Sequence, residues 1–271
     1  MVTEQRTDTT AGDASAVRLD VQGAIAYIRL NKPKLNLYDR QFMIELNDAI
    51  DEIRFNNEIK VAMMVSDLKV FSAGADIHML KASKPEFKAM FCLGAQETLA
   101  KMERTPKVFL AVLEGHTVGG GLEIALATDI RFAADSANLQ IGLPEIKLGV
   151  LPGTGGTQRL ARLIGKSRAL DLMITAKTVS PQEALDLGIV NYVYPATEVR
   201  ARAEAYAQAI ASGATRAAGL IKQAVVQGTQ VSLDSGFFME RELQNRLFIT
   251  EDAQEGLQAF IDKREPEFKG R

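Results

Sequence analysis

The chain has 271 residues, 46% of them apolar, which suffices for one substantial core and a smaller appendage but not for two full domains. Its 32 basic and 34 acidic residues leave a net charge of -2, so nothing in the electrostatics calls for a nucleic acid or an anionic membrane as partner. One cysteine, Cys92, excludes an intrachain disulfide and a cysteine-based zinc site, and it suits a reducing, cytoplasmic setting.

Residues 1–16 are rich in Thr and Ala, set Glu4, Asp8 and Asp13 against Arg6, and lack the apolar centre of a secretory signal, so a disordered tail is expected. Segments 17–21 and 24–30 flank Gln22-Gly23 and read as a hairpin. A loop at 31–36 precedes Phe42, Leu46, Ala49, Ile50 and Ile53, whose spacing predicts a helix between Arg40 and Arg54. Residues 61–66 form a short buried strand, followed by the small-residue turn Phe71-Ser72-Ala73-Gly74-Ala75-Asp76-Ile77-His78. Residues 84–104, opened by Ser83 and Pro85, make an amphipathic helix whose Met and Phe residues serve either as core or as the lining for an acyl chain.

A strand at 108–113 leads through Glu114-Gly115-His116 into Gly119-Gly120-Gly121 and an apolar helical run, and 129–133 is another strand. The longest apolar runs, such as 108–113, are far shorter than the roughly 18–20 residues of a membrane span. Past Pro152, Gly153-Thr154-Gly155-Gly156-Thr157 precedes a helix that ends at Gly165-Lys166, and Ser167 is expected to cap the next. Ser180, Pro181 and Glu183 spell a capping box closed by Gly188. From Glu198 to Lys263 helical patterns dominate, with breaks near Ser212-Gly213, Gln227-Gly228-Thr229 and Ile249-Thr250. The expected organisation is a tail (1–16), an α/β core (17–197) and an α-helical C-terminal region (198–271).

The candidate chemistry lies between His116 and Pro152. Glu123 sits in the first turn of a helix and Glu145 follows Leu143-Pro144, so the two stand on different elements that can converge. Each alone has a structural reading, as a macrodipole partner or a cap. Together in an apolar setting, one acid would stay protonated and the other ionised, as general acid and base work requires. The turns at Ala73-Gly74-Ala75 and Gly119-Gly120-Gly121 either pack tightly or aim backbone N–H groups at one oxygen, making an oxyanion hole. Neither has the spacing of a nucleotide-binding loop. His78 and His116 lack a nucleophile elbow or a second ligand, so they read as structural or surface residues and no metal is expected.

These residues resemble the enoyl-CoA hydratase/isomerase (crotonase) family through landmarks at 31–36, 71–77, 119–129, 143–152, 155–160, 180–193 and 259–264. The resemblance implies a superhelix of repeated β-β-α units with a C-terminal α-helical region that builds homotrimers, often paired into hexamers. It also implies an acyl-CoA thioester substrate, coenzyme A being part of that substrate and no separate cofactor being needed. By the same resemblance the Ala75 and Gly120 N–H groups hold the thioester oxygen, while Lys34, Leu35, Ala73, Asp76 and Ile77 line the CoA path. Phe260 and Lys263 match residues that a neighbouring subunit supplies near the CoA phosphate. Both catalytic positions of the hydratases are glutamate here, Glu123 and Glu145, which favours water addition to a trans-2-enoyl-CoA over a Δ3,Δ2-enoyl-CoA isomerase using Glu145 alone, and over a non-catalytic acyl-CoA binder. Two departures stand out: 138–141 is about two residues longer than in many short-chain hydratases, and the loop before Asn36 is one shorter, with Tyr38 following. Met79, Leu80, Met90 and Phe91 are candidate walls of the acyl pocket.

Overall fold

A computed structural model describes residues 15–271. The expected tail falls mostly outside them. Ser15 and Ala16 are tied to the core, the Ala16 carbonyl accepting the Asn31 N–H at 2.8 Å and the Ser15 hydroxyl reaching Glu45 at 3.1 Å.

The three middle turns of the chain each contribute a first strand to a large sheet and a second, shorter strand to a small one before entering a helical segment. The first hairpin pairs β1 (Val17–Gln22) with β2 (Ile25–Leu30) antiparallel, and α1 (Arg40–Phe55) follows. Asp39 caps α1 by accepting the Phe42 N–H at 3.0 Å. Next come β3 (Val61–Ser66), β4 (Val70–Ser72), α2 (Ile77–Ala82) and α3 (Pro85–Arg104). The following turn supplies β5 (Val108–Leu113), β6 (His116–Val118) and α4 (Gly120–Leu126). Then β7 (Ile130–Asp135) and β8 (Ile141–Gly142) lead to a 3₁₀ turn at Glu145–Leu148 and to α5 (Gly156–Ile164) and α6 (Lys166–Ile174). Finally β9 (Thr178–Val179), α7 (Pro181–Asp186) and β10 (Tyr192–Pro195) precede α8 (Val199–Ala211), α9 (Thr215–Gly228), α10 (Leu233–Phe248) and α11 (Glu251–Asp262).

The large sheet runs β1-β2-β3-β5-β7-β10, parallel from β2 onward, and the small sheet runs β4-β6-β8-β9. Every residue of β3 is buried, as expected of a parallel strand covered on both faces. α1 packs Phe42, Leu46, Ile50 and Ile53 into the core, and α8 contributes Val199, Ala203 and Ala207. The mixed α/β class with a helical C-terminal region is therefore as expected, as are the capping box at Ser180 and all three breaks among the last helices.

Ser167 does not cap α6. Gly165, at φ 85°, closes α5 and opens α6 at once, which puts Ser167 inside the first turn. The small sheet went largely unread, because strands of two or three residues are too short to show an alternating pattern.

α9 is anchored by Lys222, whose ammonium pairs with Asp129 at 2.8 Å and donates to the Met102 and Lys107 carbonyls, both at 2.9 Å. The later helices expose large apolar side chains, among them Phe238, Phe248, Ile249, Phe260 and Ile261. Among the described residues no helix is long and apolar enough to cross a membrane.

Candidate active site

The small sheet delivers both glycine turns to one place, since β4 and β6 are parallel neighbours whose chains leave at the same end. Asn36, fully buried, fixes the approach. Its side chain accepts the Lys32 N–H at 2.8 Å and donates to Ser66 Oγ and the Phe71 carbonyl, both at 2.9 Å. The two turns touch: a Cβ added to Gly74 would lie 3.1 Å from the Gly120 nitrogen and 3.3 Å from the Val118 carbonyl oxygen. Small residues are required here because backbone meets backbone.

Tyr38 and Ala75 form an isolated parallel bridge in which the Tyr38 N–H donates to the Gly74 carbonyl at 3.0 Å and the Asp76 N–H donates to the Tyr38 carbonyl at 2.9 Å. That pattern leaves the Ala75 N–H outside the bridge. Gly120 is the first residue of α4, where an N–H has no intrahelical acceptor. Among the described residues neither group donates to a protein acceptor. Two backbone donors on touching turns can therefore serve one external oxygen.

The glutamates sit in unlike environments. Glu123, 1% exposed, receives the Thr154 and Gly156 N–H groups on one carboxylate oxygen, each at 2.7 Å. Burial pushes its carboxyl above the ordinary carboxylate range, and those two N–H groups, Arg159 and the Thr154 side chain oppose the rise. Both carboxylate oxygens of Glu145 are buried and accept no hydrogen bond from the described residues. Burial raises the Glu145 carboxyl to about 7, and the Glu123 charge adds to the effect. Glu145 also flanks the donor turn, its Oε1 lying 3.3 Å from where a Cβ on Gly119 would stand. The arrangement sets an acid held by two backbone donors beside a second carboxyl, Glu145, that readily carries a proton near neutral pH.

Of the expected CoA-path residues, Leu35 and Ala73 are joined by a backbone hydrogen bond, Ala73 N–H to Leu35 carbonyl at 3.0 Å. Lys34, in the loop before Asn36, and Ile77, at the start of α2, are both exposed, and Asp76 caps α2 by accepting the His78 and Met79 N–H groups at 2.9 and 3.0 Å. Phe260, 86% exposed, and Lys263, the left-handed C-cap, belong to α11, which packs on α10 and takes no part in the glutamate cluster. His116 accepts the Gln140 N–H at 3.2 Å, and His78 is exposed on α2. Among the described residues no group of three or more His, Cys, Asp or Glu side chains is placed to hold a metal ion. α3 divides its apolar residues: Phe91, Leu99 and Met102 are buried, while Phe87 and Met90 face a groove shared with Met43 and Ile44 of α1.

Sequence reasoning passed over Tyr38, Thr154, Gly156 and Arg159. Thr154 and Gly156 hold Glu123, and Arg159 donates to the Thr154 carbonyl at 3.0 Å while pairing with both oxygens of Glu103 at 2.8 and 2.7 Å. The Gly-Thr-Gly-Gly run was visible as a helix start. Its role as a carboxylate cradle needs the fold to bring α4 beneath it.

Residues 20–271 match the family model described as enoyl-CoA hydratase/isomerase. A probable enoyl-CoA hydratase of Mycobacterium bovis is 39% identical over 248 residues, covering 91% of this chain and 95% of that one. The short-chain-enoyl-CoA hydratase of Clostridium acetobutylicum is 37% identical over 258 residues, covering 94% and 98%. Among solved structures, an enoyl-CoA hydratase from Geobacillus kaustophilus superposes with a TM-score of 0.93 at 53% identity, covering 96% of this chain and 98% of that one.

Proposed function

Because the chain belongs to the enoyl-CoA hydratase/isomerase family, we propose that this enzyme is a hydro-lyase that adds water across the C2–C3 double bond of a trans-2-enoyl-CoA to give a 3-hydroxyacyl-CoA. The observation that carries the reading is the meeting of two unlike glutamates with two unused backbone N–H groups. The Ala75 and Gly120 N–H groups hold the thioester oxygen and stabilise the charge it gains as the enolate forms. Glu123 and Glu145 hold one water between them. The Glu123 carboxylate takes its proton as the oxygen bonds to C3, and the Glu145 carboxyl delivers a proton to C2 as the enolate collapses. Proton transfer from Glu123 to Glu145 then restores the starting state.

Lys34, Leu35, Ala73, Asp76 and Ile77 form the path for the CoA moiety on this reading, with Phe260 and Lys263 supplied from a neighbouring subunit. The exposed apolar faces of α9 to α11 suit burial in a homotrimer, paired or unpaired. The core at 17–197, the helical region at 198–271, the absence of any separate cofactor and a cytoplasmic location complete the proposal.

The test is a panel of crotonyl-CoA and longer, branched and cyclic enoyl-CoAs, followed by loss of enoyl absorbance and product mass. No loss across the panel removes the hydratase reading. The unpartnered Glu145 also suits an acid/base acting alone, as in a Δ3,Δ2-enoyl-CoA isomerase, and faster turnover of a 3-enoyl-CoA than of its 2-enoyl isomer selects that alternative.

A further inference from the structure

Tyr38 reaches both glycine turns and the Thr154 support of Glu123. Its backbone holds the Ala75 turn through the bridge already described. Its ring lies on Gly120, where an added Cβ would come within 2.2 Å of Tyr38 Cε1, and it stacks on Phe91 with centroids 5.8 Å apart. Its hydroxyl meets Thr154 Oγ1 at 2.8 Å, and both residues are buried, at 3% and 2% exposure. Thr154 in turn donates its N–H to Glu123 at 2.7 Å and accepts Arg159 on its carbonyl at 3.0 Å.

We propose that the Tyr38–Thr154 hydroxyl pair is a positioning device for Glu123: the Tyr38 hydroxyl holds Thr154 in place, and Thr154 holds the Glu123 carboxyl through its backbone N–H. The proposal deepens, and rests on, the hydratase reading of the same site. Burial raises the Tyr38 phenol far above its ordinary value, so it stays a donor at every pH at which the enzyme works. The Thr154 side chain is among the groups that favour ionised Glu123. An N–H donor held in place by its own side chain both aims the carboxyl it serves and favours its charged form. The alternative is that two buried hydroxyls merely satisfy each other.

The charged and titratable groups around Glu123 are Glu145 on the 3₁₀ turn, Arg159 on α5, Cys92 on α3 and Tyr38 itself, with Glu103 of α3 pairing Arg159. Removing a neutral hydroxyl changes none of those charges at working pH. A shift in Glu123 titration therefore traces to the hydroxyl pair and the Thr154 N–H it holds.

Tyr38→Phe keeps the ring and its stacking, Thr154→Val removes the hydroxyl at nearly constant shape, and Thr154→Ser restores it. The full chain and each variant are measured for kcat and KM on crotonyl-CoA across pH, and for protonation of Glu123 by infrared carboxyl titration, using Glu123→Gln to identify its band. Tyr38→Phe and Thr154→Val should each lower kcat about tenfold with KM within about twofold and raise the Glu123 midpoint by about one pH unit. Thr154→Ser should retain wild-type behaviour, and the double variant Tyr38→Phe/Thr154→Val should be no worse than either single change, because both break the same hydroxyl pair. An unmoved Glu123 band in Tyr38→Phe, or a Thr154→Ser variant as impaired as Thr154→Val, overturns the proposal. If the wild-type enzyme hydrates no enoyl-CoA, the hydratase reading falls while the infrared titration still decides the positioning role. Should Thr154→Val fail to fold, Tyr38→Phe alone carries both readouts.

Discussion

Replacing Gly120 by alanine tests the close packing around the proposed oxyanion site without removing the N–H group itself. The new methyl would sit 2.2 Å from Tyr38 Cε1, 2.5 Å from its hydroxyl oxygen and 2.7 Å from Cζ, whereas ordinary contact begins near 3.4 Å. The ring must retreat by over an ångström, and its retreat is opposed by Phe91 stacked behind it and by the Thr154 hydrogen bond. Overpacking of this kind costs about 1–3 kcal/mol, which lowers Tm by roughly 2–12 °C in a chain of this size. A displacement of that size in the positioning shell lowers kcat/KM by about a hundredfold. Thermal unfolding and crotonyl-CoA hydration are the assays, with Tyr38→Leu as the second arm because leucine lacks all three atoms the methyl meets. In the Tyr38→Leu background the added methyl should cost little stability. An unchanged Tm and turnover in Gly120→Ala, or an equal loss in both backgrounds, would refute the account.

Glu123→Gln and Glu145→Gln should each cut turnover by at least about a hundredfold, and retained activity in either removes that residue from the acid/base step. Glu145 is raised in the fold from 4.5 to about 7, so the folded state binds its proton more tightly than the unfolded chain and loses stability as pH rises through that interval. Glutamine does not titrate, so the stability of Glu145→Gln relative to wild type should grow between about pH 4.5 and 7 and level off above it; denaturant unfolding at several pH values that shows no such trend contradicts the burial argument. Lys222→Met leaves Asp129 buried without its partner and should cost about 3–5 kcal/mol in urea unfolding. Adding Asp129→Asn should recover a large part of that loss, because the uncompensated charge is then gone.

The elements that matter most to the core were legible because they are long and periodic. α1 buries Phe42, Leu46, Ile50 and Ile53 at the spacing the sequence displays, and β3 and β5 are continuous apolar runs between clear breaks. The four-stranded sheet was not legible. His116–Val118, Ile141–Gly142 and Thr178–Val179 owe their strand geometry to neighbours far away in sequence, so local pattern carries no trace of them. The same holds for the support of Glu123. The acid itself was conspicuous beside three glycines, but the two N–H groups that hold it come from residues 154 and 156 and only the tertiary fold sets them there. Tyr38 stood out only as the residue that follows a shortened loop, because the contacts that bring it to Gly120 and Thr154 are set by the tertiary fold.

The asymmetry between the two acids follows from where each is carried. Glu123 projects from α4 into the cradle at the start of α5, and the backbone there supplies donors that remain whatever occupies the site. Glu145 rides on a 3₁₀ turn held by Gly149, with no donor for its carboxylate among the described residues, so its charge has only solvent or a bound molecule to stabilise it. A fixed donor set opposes the rise that burial imposes on Glu123 and holds its carboxyl in one orientation. An unpartnered buried carboxyl with a midpoint about 7 can instead lose and regain its proton at little cost within a turnover. On the proposed hydratase reading, these unlike surroundings beside two backbone donors are what would let one cleft serve addition and protonation on neighbouring carbons with two different acids.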